Sequence, residues 1–416
     1  MHGLGADTPL WSVIPFAVML GGIALLPVAT PHWWERNRNR GIFTALVATP
    51  VAITLLRVDP HALGHSLLEY LSFIVLLGSL YVITGGIHVS GDLEGTPARN
   101  AAILGVGAVL ANLMGTTGAS MLLVRTLLRT NRQRQHRGHV PFFFILLVSN
   151  CGGLLTPLGD PPLFLGYLRG VPFFWTLSLL PFWVLVVAYL LLVFYVVDRR
   201  AYARESRRAI ARDERERVPL RVRGKIHCVF LLGVLGAVFL SSPWREIAMI
   251  AMTALSLWCG PRRPRQANAF TWQPIIEVAI LFAGLFVTMV PALALLQARG
   301  RELGLDAPWQ FFLVTGGLSS VLDNAPTYLT FLTAAQSLAL PADVAGVPTA
   351  FLTAISLGAV LMGANTYIGN GPNFMVRAIA EESDYRMPLF LGYALAATLT
   401  LAPIYAAITL WLAFAY

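Results

Sequence analysis

Charge is scarce in this chain. Of its 416 residues only 12% are Asp, Glu, Lys or Arg, against roughly 25% in a soluble domain. Lysine is nearly absent. Lys225 is the only one, and it follows Gly224 but precedes Ile226, where a phosphate-binding loop needs Ser or Thr. ATP-driven chemistry by this chain is thereby excluded. No HExxH or GxSxG pattern occurs, which removes the zinc-peptidase and serine-hydrolase readings that rest on them. The three cysteines, Cys151, Cys228 and Cys259, are odd in number and lie in apolar stretches. That excludes a disulfide framework and predicts small buried hydrophobes. The eight histidines make no metal-ligand spacing. An Asp160-Pro161-Pro162 string occurs, but a membrane enzyme acting on a lipid diphosphate needs a cluster of acids, which is missing. The reading is a non-enzyme without a cofactor.

What the chain has is hydrophobicity. It is 56% apolar with a mean hydropathy of +0.67. Runs such as Leu177–Val197, Pro274–Leu296 and Leu389–Phe414 meet the roughly 20 residues that a bilayer span requires. The first run, Leu10–Val28, is too long for a cleaved signal peptide. The pattern predicts an all-α integral membrane fold. Ten spans are expected near 10–29, 41–57, 66–88, 140–168, 172–197, 226–241, 244–259, 270–297, 347–381 and 388–414. Two re-entrant hairpins are expected near 97–129 and 308–338, because one straight helix over either stretch, at about 1.5 Å per residue, overshoots a bilayer. With the N-terminus outside, the loops predicted inside hold 25 of the 30 basic residues. That is the positive-inside bias, and it explains the net charge of +9 without a nucleic-acid partner. It places both termini outside.

The chain also repeats. Gly78 matches Gly284, the tip Leu113–Gly118 (LMGTTG) matches Val321–Pro326 (VLDNAP), and Thr156–Pro162 (TPLGDPP) matches Thr366–Pro372 (TYIGNGP). The three landmarks keep one order and nearly one offset. Residues 1–197 form the first unit and 226–416 the second. Between them, 198–225 reads as a solvated basic linker lying on the inner lipid headgroups. Each unit holds five spans and a hairpin, so the second copy is inverted, an arrangement that recurs in transporters with a site at mid-membrane.

The segment Ser149–Pro162 (SNCGGLLTPLGDPP) breaks an apolar span with glycines, three prolines and a carboxylate. Irregular backbone at membrane depth is tolerated where it lines a cavity. Asp160 is the first candidate cation and proton site, supported by Asn150 and Thr156, with Ser149, Gly152, Gly153 and Gly159 shaping the break. The second break offers Asn365, Thr366, Asn370 and Asn373, with Gly369 between them. These are neutral oxygens, which suit hard cations. The second hairpin tip brings Asp323, Asn324 and Thr327. An intramembrane carboxylate marks a functional site, and Asp323 is equally placed to cap the following helix. The first tip lines the site with Thr116, Thr117 and Ser120. Two acids facing one cavity suit competition between a cation and protons. Glu69 and Glu277 begin corresponding spans near opposite surfaces. Arg377, a turn beyond the second break, is expected to face the inner loops.

The strings LDNAPTYLT, SNCGGLLTPLGDPPLFLGYLRGVPF and YIGNGPNFMVRAIAEE resemble the NhaD-type sodium/proton antiporters of the ion transporter superfamily. That superfamily shares a citrate-transporter-like domain with arsenite permeases and sodium-coupled dicarboxylate carriers. The resemblance covers nearly the whole chain. It implies a homodimer in a bacterial inner membrane, with hairpins and broken helices moving like an elevator against a scaffold. It implies sodium (or lithium) and protons as the transported species, with the antiporters' acidic pattern falling on Asp160 and Asp323. The carboxylate carriers use Ser-Asn-Thr motifs at their tips. Here the tips are Gly-Thr-Thr-Gly and Asp-Asn-Ala-Pro, a departure that favours cation antiport over the alternative, sodium-coupled transport of citrate or a dicarboxylate.

Overall fold

The computed structural model describes residues 9–216 and 218–415. The chain's two ends and Arg217 of the linker lie outside the described residues, so the expectation that both termini face outside extends beyond them. The α-helices of eight residues or more among the described residues are α1 (Ile14–Ala29), α2 (Asn37–Val58), α3 (Pro60–Thr84), α4 (Pro97–Thr130), α5 (His139–Leu147), α6 (Pro161–Leu168), α7 (Leu180–Tyr202) and α8 (Arg207–Glu216). After them come α9 (Ile226–Ala237), α10 (Trp244–Cys259), α11 (Gln273–Arg299), α12 (Pro308–Ser319), α13 (Asn324–Ser337), α14 (Thr349–Met362), α15 (Gly371–Glu382) and α16 (Phe390–Ala415). Seven stretches among the described residues are long and apolar enough to cross a membrane. The outward faces carry exposed Leu46, Leu68, Leu192, Leu232, Leu391 and Leu395, an apolar surface too extensive for water. The architecture is an all-helical membrane fold.

Six of the ten expected spans are continuous helices. Two, 226–241 and 244–259, are the shorter α9 and α10. The remaining two are each a pair of half-helices: α5 and α6 around one unwound segment, α14 and α15 around another. Prolines set the starts. Pro60 opens α3 at a position that needs no donor, and Asp59 caps it by accepting from the Ala62 N–H at 2.9 Å.

Both expected hairpins fold back on themselves. α4 breaks at Gly115, whose φ of 76° and ψ of 154° only glycine adopts without strain. Its two arms then lie side by side. Asn100 and Asn131, 31 residues apart, exchange amide hydrogen bonds of 2.8 and 2.9 Å. In α12 and α13 the chain reverses at Val321–Asp323, and Phe311 meets Phe331 at 6.2 Å between ring centroids.

The long helices α3 and α11 run antiparallel. The Ser66 hydroxyl donates to Phe286 O at 2.6 Å, the Tyr70 hydroxyl to Ala279 O at 2.8 Å, and Phe73 stacks on Phe282. With α1, α2, α9 and α10 they form one group. The two hairpins, the broken helices, α7 and α16 pack as a second.

Three expectations need correction. Cys151 is buried, but Cys228 and Cys259 are exposed. An apolar stretch in a membrane protein can face lipid as readily as protein, so hydropathy did not report burial. The segment 198–225 is more than a solvated helix. Val218–Arg223 forms β2, paired antiparallel with β1 (His88–Asp92), so the span expected to run to residue 88 stops at Thr84. Asp198, assigned to the polar linker, is fully buried inside the end of α7. It accepts from Asn100 at 2.9 Å, pairs with Arg134 and meets the His139 ring at 2.8 Å. Asp213 of α8 accepts from the Gly95 N–H at 2.7 Å. Burial pushes the Asp213 carboxyl above the usual carboxylate range, and the Gly95 bond partly offsets it.

Removing Arg134 takes the guanidinium from a buried carboxylate and leaves Asp198 only the His139 ring and the Asn100 amide; breaking a buried pair in this way costs about 3–5 kcal/mol. Arg134→Ala is expected to lower the thermal unfolding midpoint in detergent sharply. Adding Asp198→Leu is expected to restore most of the loss.

Candidate functional site

The two unwound segments are built alike. In the first, Thr156 is extended and its hydroxyl donates to Asn112 O, while Asn112 Nδ2 donates to Gly152 O at 2.7 Å. In the second, Thr366 is extended and its hydroxyl donates to Ser320 O, while the Ser320 hydroxyl donates to Met362 O at 3.0 Å. Each pair of residues keeps the repeat offset. Both segments close so tightly that a Cβ on Gly159 collides with Gly153 O, and one on Gly369 with Gly363 O. Each then restarts as a half-helix whose first turn contains proline, after Asp160 and after Asn370.

Asp160 is the point where these elements meet. Its side chain does not cap its own helix. One carboxylate oxygen accepts from the Thr116 hydroxyl at 3.0 Å and from Asn370 Nδ2 at 2.9 Å. The other accepts from Asn324 Nδ2 at 2.7 Å. Thr116 belongs to the first hairpin, Asn324 to the second, and Asn370 to the second break. One acid therefore joins all four interrupted elements. An ionised carboxylate only accepts, so both amides must aim their NH2 groups at it.

A cavity of about 100 Å³ lies beside this junction. Thr116, Thr117, Asp323, Asn324 and Asn370 form its polar wall, and Leu77, Tyr81, Ile275 and Phe282 of α3 and α11 are among its apolar ones. Among the described residues Asp323 is the only charged side chain in the lining. Asp160 is 1% exposed and sits directly behind the wall, instead of facing the cavity beside Asp323. Asp323 caps α13 by accepting from the Ala325 N–H at 3.0 Å. Its carboxylate accepts no other hydrogen bond among the described residues, and the Oδ1 atoms of Asn324 and Asn370 accept none. None of these oxygens is occluded, so they are open toward the cavity. Four helix starts surround it, at Thr116, Pro161, Asn324 and Gly371. Each carries about half a positive charge.

The other expected site residues form the second layer. Asn150 donates to Asn373 Oδ1 at 2.6 Å and accepts from Asn370 at 3.2 Å. Asn373 donates to Gly363 O and Thr366 O at 2.9 and 2.8 Å. Ser120 and Ser149 pair at 2.8 Å. The Thr327 hydroxyl is spent on Asp323 O at 2.8 Å. Asn365 turns away, to Ser320 and the Tyr405 hydroxyl. Arg377 stacks 4.6 Å over Tyr367 and pairs with Glu381 at 2.9 Å, outside the cavity. Sequence reasoning missed Asn112, Ser320 and the apolar walls. The repeat offset that aligned Gly78 with Gly284 would have found the walls, since they flank those glycines.

Replacing Asp160 with alanine strands two buried donors, the Thr116 hydroxyl and the Asn324 amide, at about 1–3 kcal/mol each, and leaves Asn370 only Ser149 O and Asn150 Oδ1. Asp323→Ala removes one helix cap, worth about 1 kcal/mol. Thermal unfolding in detergent should therefore separate the two variants clearly. Asp160→Asn should fall between them, because the Asn324 amide can turn its oxygen toward the new NH2.

No curated protein matches the chain. Residues 5–414 match a family described as "Putative citrate transport". With spans, interrupted helices and cavity in place, the chain belongs to this family, CitMHS_2, and is a multi-pass membrane protein of the transporter class.

Proposed function

We propose that this protein exchanges sodium (or lithium) for protons across a bacterial inner membrane. The observation that carries the reading is the cavity wall: one carboxylate, Asp323, flanked by open neutral oxygens of Asn324 and Asn370 and the Thr117 hydroxyl, with no cation in the lining. A hard cation takes such oxygens. In this reading Asp323 is the group that gives up a proton when the cation binds. Asp160 supplies a fixed negative charge behind the wall and aims the two amides.

The hairpins are re-entrant, the two units 1–197 and 226–416 are inverted copies, and the group holding the site moves like an elevator against α3 and α11. A homodimer with both termini outside completes the picture. Support comes from the matched geometry of the two breaks and from the basic residues on one set of loops.

A second reading is sodium-coupled uptake of citrate or a dicarboxylate. The family description favours it, and four helix starts around one cavity can hold an anion once a bound cation has neutralised Asp323.

Purified protein in vesicles with an internal pH dye separates the two. A step of external sodium should raise the internal pH in the wild type and leave it unchanged in Asp323→Asn. Silence toward sodium, lithium and potassium, with uptake of labelled citrate that needs sodium, would replace the antiport reading with the carboxylate one.

A further inference from the structure

The acids Glu69 and Glu277 occupy corresponding places in the two repeats, yet they are paired differently. Glu69 on α3 is 7% exposed and pairs with Arg169. The Arg169 Nη2 donates to Glu69 Oε2 at 2.8 Å, a charge-assisted hydrogen bond of the strong kind, and Nε lies at ion-pair distance, 2.8 Å, from Oε1 without hydrogen-bonding it. Arg169 ends α6, the half-helix that begins at the Asp160 junction. The pair therefore ties the group of long helices to the group holding the site. Two residues away the Tyr167 hydroxyl donates to Val238 O at 2.8 Å, a second tie across the same boundary. Among the described residues no other ion pair joins a helix of one group to a helix of the other. Glu277, by contrast, pairs with Arg40 at 3.0 Å, and both belong to the long helices.

The position of the cavity gives this difference a meaning. It is lined by Phe73 to Tyr81 of α3 and by Pro274 to Phe282 of α11. Since these helices are antiparallel, the cavity lies toward the Thr84 end of one and the Gln273 end of the other. Glu277 is on that side, part-exposed and bound within its own group. Glu69 is on the opposite side, about 12 Å along α3 from Leu77 at about 1.5 Å per residue. One side is tied from helix to helix by an ion pair; on the other, among the described residues, the link runs through the β1 segment, where Val89 O accepts from Arg129 of α4 at 2.7 Å and Ile87 O from Asn268 at 2.6 Å.

We propose that the Glu69–Arg169 pair is the latch that seals the site on the side away from the cavity, and that it must part for the site to reach that side. Glu277 marks the unsealed side, which carries Arg40 and the basic loops. The proposal rests on the exchange reading, in which the two groups move past each other. Glu69 and Arg169 are positioning residues here and do not touch the cargo.

The test uses the full chain with its three cysteines replaced by serine. Thr117→Cys places a thiol in the cavity wall, to be labelled by an impermeant maleimide from either side of oriented vesicles. Labelling is expected from the basic-loop side. Glu69→Gln and Arg169→Gln are each expected to raise labelling from the opposite side about tenfold, a shift of about 1.4 kcal/mol. The exchange Glu69→Arg with Arg169→Glu is expected to reverse that rise. Separately, oxidising a Glu69→Cys/Arg169→Cys pair is expected to stop transport until a reductant is added. If the crosslink stops transport but neither single variant changes the sidedness of labelling, the latch is overturned and the moving-group reading survives. If crosslinked protein transports at the uncrosslinked rate, the groups do not part there and both fail.

Discussion

A single carboxylate holds this fold at its centre. Asp160 accepts from Thr116, Asn324 and Asn370, one donor from each of the other three interrupted elements. Interrupted helices at membrane depth leave backbone groups that lipid cannot satisfy. Each break here satisfies part of that need internally, with Thr156 and Asn112 in one copy and Thr366 and Ser320 in the other. Those local clamps fix each segment by itself. Asp160 fixes the segments against one another, and the orientation of the two amides follows from it. Because their NH2 groups point back to the acid, their oxygens are left for the cavity.

That division of labour separates two acids that look equivalent in the sequence. Asp160 has three partners and almost no exposure. The Asp323 carboxylate has one partner and a place in the wall. The repeat makes the contrast sharper, since the position matching Asp160 holds Asn370 and the position matching Asn324 holds Thr116. Symmetry supplies the two clamped breaks. The departures from symmetry supply the charge, and the proposed cation chemistry depends on those departures. The same holds farther out, where Glu69 is tied across the boundary between the two groups of helices and Glu277 is not.

Much of this was legible in the chain. Glycine and proline inside apolar stretches located both breaks, and excess length located both hairpins, because a bilayer permits few alternatives. The hairpin limits expected at 97–129 and 308–338 fall within a residue of the helix ends observed, Pro97 and Thr130 for the first and Pro308 and Ser337 for the second. The ribbon of His88–Asp92 and Val218–Arg223 was not legible. Its strands are short, and the partners lie about 130 residues apart, a separation that no local pattern reports. Asp198 looked like the first residue of a polar linker, because its neighbours Arg134 and His139 come from a distant loop. Hydropathy misplaced Cys228 and Cys259 for a different reason: lipid and protein interior read alike on that scale. Asn112 escaped notice because one amide in an apolar arm has no motif around it. Only the fold brings it to Gly152.

The central claim is that Asp323 exchanges a proton for a cation in a site whose neutral oxygens are held by Asp160. Proton release on cation binding tests it most directly. Sodium would be added to purified protein in weakly buffered detergent while the pH is followed. The account predicts acidification by the wild type that saturates with sodium and is lost in Asp323→Asn while the variant remains folded. Equal proton release from Asp323→Asn, or none from the wild type with sodium or lithium, would contradict it.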